Sequence, residues 1–459
     1  MCGFIYLSAM KRTNTFAVRP LSEGGERVLR DVLDASAALW NEVNYERLMR
    51  YNDEDGFEGD VWDANTGSLE GQYKPVLGAS TAQQVISKNS EAWRSFFTLT
   101  KKFHDESHDS VTEHPNPPAF RGNKDDGRVL RGVIRKDAYS VEWGKRSRLE
   151  IVVGEALRDV HNSPKTRLRL EIAGEPNWPD YVDQGRLDLW YDETDGTFRA
   201  SQPVTIPDDT RATPLADEMA ALDIGANNLV ACTTTTGNQF LYDGSSPYDQ
   251  FRETTERIAE LQSKLDDQQR SSTQVDRLSK VKYGRRDHAQ DTLVRDLVER
   301  LYKTGVSTVY VGDLKDVLST HWKPEVNAKT HNFWAFQRFI NRLECVCTEY
   351  GITVLVESES WTTQACPECG SREETARNGD LFRCVCGFEG HADLKASQLF
   401  VERETGTDVG LMAQPVCLEW DDHEWSETSY SPERVRPKEE HTDRSTRRTV
   451  GNIASVESA

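Results

Sequence analysis

Cys366-Pro-Glu-Cys369-Gly, then Cys384-Val-Cys386-Gly, then Gly390-His391-Ala392-Asp393-Leu394-Lys395-Ala396-Ser397 form the stretch that decides how this chain is read. Fourteen residues separate Cys369 from Cys384, so four thiols fall within 21 positions. Structural zinc takes four soft ligands in a tetrahedron, and a CxxC knuckle followed by Gly turns two sulfurs toward one ion. The second pair is CxC, a tighter knuckle, and His391 is the reserve ligand. The reading is a structural Zn²⁺ held by Cys366, Cys369, Cys384 and Cys386. Asp393 follows the module and opens a helix, where a carboxylate either caps the backbone or faces a cation.

Working outward, Met219–Leu229 is an apolar strand that carries Leu222-Asp223-Ile224-Gly225. Two further strands follow, near 230–235 and 239–242. A long helical region then covers Phe251–Tyr302, with breaks expected near Ser271 and Gly284. A strand at Val306–Val311, a helix at Trp334–Tyr350 and a strand at Ile352–Glu357 lead into the cysteine module. This order, closed by a helix around His391–Arg403, is that of an RNase-H-like α/β domain. Before it, Thr15–Pro20 alternates as a strand. Leu21–Arg50 and Ser80–His104 carry apolar residues at helical spacing, and Arg128–Ile206 alternates in short runs that read as β-rich.

Composition narrows the function classes. The chain has 459 residues and a net charge of -20, from 76 acidic and 56 basic side chains. No run approaches the ~18 consecutive apolar residues of a membrane helix. The segment before Met10-Lys11-Arg12 lacks the flanks of a signal peptide, and Met10 is a plausible start. The expectation is a cytoplasmic chain associated with the nucleoid, with no membrane. Nine cysteines, an odd number, argue against a disulfide framework. Acidic excess with Lys scarce beside Arg suits a salt-accumulating halophile, where about 1 M salt screens charges beyond roughly 3 Å. Net charge therefore does not exclude nucleic acid, and local patches decide. Arg121–Arg148 carries nine basic residues against four acidic, and Gln269–Arg286 six against one. Arg121, Arg128, Arg131, Lys282, Arg285 and Arg286 are the candidate phosphate contacts. Trp334 and Phe336 are aromatic candidates that read as core.

Together the Asp223 strand, the CxxC…CxC module ending in His391-Ala-Asp-Leu-Lys-Ala-Ser397, and Trp361-Thr-Thr-Gln-Ala-Cys366 resemble the TnpB (OrfB-type transposase) family of insertion sequences. The resemblance extends over most of Met10–Phe400. It implies a RuvC-type nuclease domain with an inserted zinc ribbon, preceded by a β-barrel and helices. It also implies relatives among type V CRISPR effectors, a guide RNA encoded by the element, a double-stranded DNA target and catalytic Mg²⁺. The boundaries that follow are a recognition module at 1–215 and a nuclease domain at 216–403, with the ribbon at 362–390. An acidic, disordered tail is expected at 404–459. Strand transfer is disfavoured, although a partner transposase fits such an element.

By the same resemblance Asp223 takes the place of the first catalytic carboxylate and Asp393 that of the third. The second is a Glu directly before Asp-Leu, and here Gly312 precedes Asp313-Leu314. Asp313 is one residue along and points to the other face of a strand. The neighbouring strand ends Val356-Glu357-Ser358-Glu359, and Glu359, ahead of Glu357, is the replacement this reading favours. The function expected is RNA-guided cleavage of DNA. Its rivals are an RNA-guided repressor that binds without cutting and a DNA-binding transposition accessory.

Overall fold

The computed structural model describes residues 10–53, 58–105, 114–123, 127–225, 228–265, 271–313, 333, 335–358, 362, 364–409 and 413–429. The chain divides into two compact units, Met1–Thr210 and Arg211–Ala459.

In the first unit, strand β1 (Met10–Pro20) leads into the long helix α1 (Glu23–Asp53). Helices α2 (Thr66–Leu77) and α3 (Ala79–His104) follow. Its main strands are then β2 (Arg131–Ile134), β3 (Tyr139–Glu142), β4 (Arg148–Val152), β5 (Arg167–Ala173), β6 (Leu187–Asp192) and β7 (Thr197–Ile206). The sheet order is β2-β6-β7-β1-β5-β4-β3. Its two end strands, β2 and β3, are successive in sequence. Five residues from Ile134 to Tyr139 span at most about 18 Å. Laid flat, the sheet would hold its ends about 29 Å apart. The sheet therefore curls, and alternate residues of its strands (Phe16, Val18, Leu149, Ile151, Leu187, Leu189, Phe198, Ala200) enclose one core. Leu29 and Leu33 of α1 close that core. The rest of its apolar stripe (Val28, Val32, Leu39, Trp40, Val43) packs on α2 and α3 at the three- and four-residue steps of a helix face.

The second unit is a mixed sheet. Strands β8 (Glu218–Asp223), β9 (Asn228–Thr234) and β10 (Gln239–Asp243) run antiparallel to one another in turn. Helices α4 (Ser245–Gln262) and α5 (Thr273–Lys303) lead to β11 (Val306–Gly312), which lies parallel to β8. Helix α6 (Phe336–Glu349) returns the chain to β12 (Thr353–Glu357), parallel to β11. A separate three-stranded sheet, β13 (Thr375–Asn378), β14 (Leu381–Cys384) and β15 (Glu389–His391), carries Cys384 and runs into α7 (Ala392–Thr405).

Both faces of the main sheet are covered, which is why β8 and β9 read as continuous apolar runs. Ala220 and Leu222 face α5 and α6, while Ala221 packs on Phe400 and Val401 of α7. Two expectations fail here. Gly284 does not break a helix: α5 runs through it, and nothing lies within 4 Å of where a Cβ would stand. An exposed mid-helix Gly costs only about 1 kcal/mol. Nor is the chain after residue 404 uniformly loose. Strands β16 (Val416–Trp420) and β17 (Trp425–Thr428) extend the sheet, β16 lying parallel to β10. Trp425 is buried against Tyr242 and donates its Nε1–H to the carbonyl of Ala289 at 3.1 Å. The acidic turn Asp421–Glu424 masks this hairpin in the composition. Residues 430–459 of the expected tail lie outside the described residues. Among the described residues no helix is long and apolar enough to cross a membrane.

Candidate functional site

Four sulfurs converge in the cysteine module, with Cys366 Sγ 3.6 Å from Cys386 Sγ and Cys369 Sγ 3.5 Å from Cys384 Sγ. Thiolates at 2.3 Å from a tetrahedral ion lie about 3.8 Å apart, so the geometry fits one soft metal ion. Gly370 and Gly387, at φ 70° and 99°, supply the left-handed residues that end each knuckle. His391 does not join this set. It caps α7, where its Nδ1 accepts the amides of Asp393 and Leu394 at 3.2 and 3.4 Å.

Asp223 closes β8 and is 9% exposed. Side chains two apart on a strand share a face, so Asp223 lies on the side of Ala221, toward α7. On the next strand Tyr310 packs on Phe400. Position 312, two residues on, therefore belongs to that same face. A carboxylate at Gly312 would enter the site, and Asp313 is directed away from it. Glu357 pairs in register with Gly312 on the exposed edge strand β12. It stands two strands from β8, about 9–10 Å. Glu359 lies outside the described residues, as do Trp361 and Trp334.

Asp393, 6% exposed, opens α7. Its Oδ2 accepts from Asn228 Nδ2 at 2.9 Å and its Oδ1 from Arg377 at 2.8 Å. The loop after Asp223 comes close to it. A Cβ on Gly225 would stand 2.8 Å from the carbonyl of Asn228 and 3.6 Å from Asp393 Oδ2. Only glycine gives the backbone that approach. Lys395, two residues on, is buried and donates to the carbonyls of Thr362 and Ala365 at 3.0 and 2.9 Å. Burial brings its ammonium down to about 8, helped by Arg377 and opposed by Asp223, Cys366 and Asp393. Sequence reading passed over Asn228, Arg377, Asp380 and Lys395, because no spacing rule links Asn228 to a helix 165 residues later.

Among the described residues a second group of close ligand atoms is Asp380, His391 and Asp393. Burial and the Asp393 charge hold Asp380 above the usual carboxylate range, and burial lowers His391.

The expected phosphate contacts divide. Arg121 stacks on Trp40 and donates to the carbonyl of Arg131, and its burial lowers it to about 10. Arg128 pairs with Asp34 at 2.8 Å. Arg286 is buried beside Asp287. These three support the fold. Arg131 and Arg285 are exposed, and Lys282 is half-buried over Phe251 and Tyr283.

The sequence model of a family described as a probable transposase matches residues 201–318, and that of a Cas12f1-like TNB domain matches 336–399. A TnpB-like protein of Acidianus two-tailed virus is 28% identical, over 89% of this chain and 90% of that one. A putative transposase of Methanocaldococcus jannaschii is 33% identical over 17% of this chain and 77% of its own length. The CRISPR-associated endodeoxyribonuclease Cas12f1 of Sulfoacidibacillus thermotolerans is 26% identical over 25% of this chain and 26% of its own. In fold, the chain is similar to the protein of a Cas12f1–sgRNA–target DNA complex solved by cryo-EM. The TM-score is 0.56 at 10% identity, over 85% of this chain and 98% of that one.

Proposed function

We propose that this chain, which is similar over most of its length to a TnpB-like protein and matches the probable-transposase model over residues 201–318, is a transposon-associated, RNA-guided DNA endonuclease. Its RuvC-like site would cut at Asp223 and Asp393. The observation that carries this reading is the position of two buried aspartates. One ends β8 on the α7 face and the other opens α7, directly after a four-cysteine module. Hard carboxylate oxygens suit Mg²⁺, and glycine at position 225 keeps the backbone after Asp223 close to Asp393. A bound Mg²⁺ would supply Lewis acidity at the scissile phosphate and lower the pKa of an attacking water. The chain's own residues do the rest. Asn228 and Arg377 hold the Asp393 carboxylate in one orientation, and Lys395 ties the segment before the cysteine module to α7.

Zinc in the cysteine module would be structural, since four thiolates leave no open position. Guide pairing would read the target while the protein reads duplex shape and a short flanking motif. Arg131, Lys282 and Arg285 are the cations left to face phosphate. The test is purification of the full chain, sequencing of co-purified RNA and cleavage of a matching plasmid. Cutting is expected with Mg²⁺, none with EDTA, and a loss of at least about 100-fold in Asp223→Ala and Asp393→Ala. RNA-directed binding without cutting by the wild type would leave a repressor in place of a nuclease.

A further inference from the structure

We infer that Asp380, delivered by the cysteine module, is a ligand of the divalent cation at Asp393. The inference rests on the metal-dependent reading of that site.

The backbone explains how Asp380 arrives there. Asn378 pairs with Leu381, so Gly379-Asp380 is a two-residue hairpin turn, and Gly379 takes the positive φ of 62° that such a turn needs. Leu381 in turn pairs with His391. The turn is thereby set beside the start of α7, where the amide of Ala392 donates to the Asp380 carbonyl at 2.7 Å. The module delivers one carboxylate, and α7 delivers another.

The side chains then leave a gap that a cation fills. Ligand atoms of Asp380, His391 and Asp393 lie within 4.8 Å of one another. Carboxylate oxygens around one Mg²⁺ or Mn²⁺ at about 2.1 Å lie roughly 3–4 Å apart, so a small inward movement completes the set. Asp393 has partners for both oxygens, whereas Asp380 Oδ1 is buried with no hydrogen-bond partner. A buried, unpartnered carboxylate oxygen beside a second carboxylate costs free energy that a metal ion recovers. His391 is fixed beside the two carboxylates by its cap, its Nδ1 accepting the amides of Asp393 and Leu394. The edge strand offers less. Ser358, just past β12, accepts from Arg403 at the far end of α7, and the ten residues from Asp393 to Arg403 span about 15 Å.

The experiment titrates Mn²⁺ into the full chain without nucleic acid and follows the free-ion signal by electron paramagnetic resonance. Wild type is compared with Asp380→Asn, Asp380→Ser and Asp393→Asn. Melting temperature and the metal content of the cysteine module are checked in each. The expected result is Mn²⁺ affinity weakened at least about tenfold in all three variants, with both controls unchanged. Wild-type affinity in the two Asp380 variants, with loss only in Asp393→Asn, would overturn the inference and leave the metal-dependent reading standing. No Mn²⁺ binding by the wild type would overturn both.

Discussion

Single atoms decide the site at the residue scale. Gly225 sits where a Cβ would press to 2.8 Å of the Asn228 carbonyl, one side chain away from Asp393. Gly225→Ala is expected to push the loop outward and misplace Asp223 by a fraction of an ångström. Cleavage should fall about 10- to 100-fold while co-purified RNA is retained, measured by plasmid nicking. Cys369→Ser removes one of four converging thiols. Elemental analysis is expected to show zinc falling from about one per chain toward none, with a lower melting temperature. The four cysteines were legible from spacing alone, and so were Asp223 and Asp393 as isolated candidates. Asn228, Arg377 and Asp380 were not, because each acquires meaning only from a neighbour distant in sequence.

At the scale of elements, local periodicity carried most of the strands and helices, and its errors have physical causes. A glycine in a helix is a tolerated cost, so Gly284 misled. Thr66–Leu77 was not read as a helix, because Gly67, Gly71 and Pro75 within it are turn residues by type. The hairpin Val416–Thr428 is short and flanked by acids, yet Trp425 buries its ring on Tyr242 and donates to Ala289. Trp425→Ala is expected to cost about 3–5 kcal/mol, read as a lower urea midpoint with an unchanged slope. No measurable loss would mean that the hairpin is an appendage to the sheet and not part of its core.

The whole molecule carries a charge of -20, and self-repulsion on that scale opposes compaction. Raising KCl from about 0.1 M to about 1 M shortens the screening length from roughly 10 Å to roughly 3 Å. The melting temperature is expected to rise with salt, by several degrees, and a flat response would remove the argument for a salt-adapted chain. The sequence by itself determined the family resemblance, the four-thiolate set, the mixed α/β order of the second unit and the two aspartates worth testing. Those properties are written in residue type and short-range spacing, where a period of two or 3.6 reports its own structure. Only the tertiary structure decided that position 312 shares a face with Asp223, that the tail adds two strands, and that Asp380 stands beside Asp393. Those facts depend on register and on chain closure over many residues, and no local pattern encodes them.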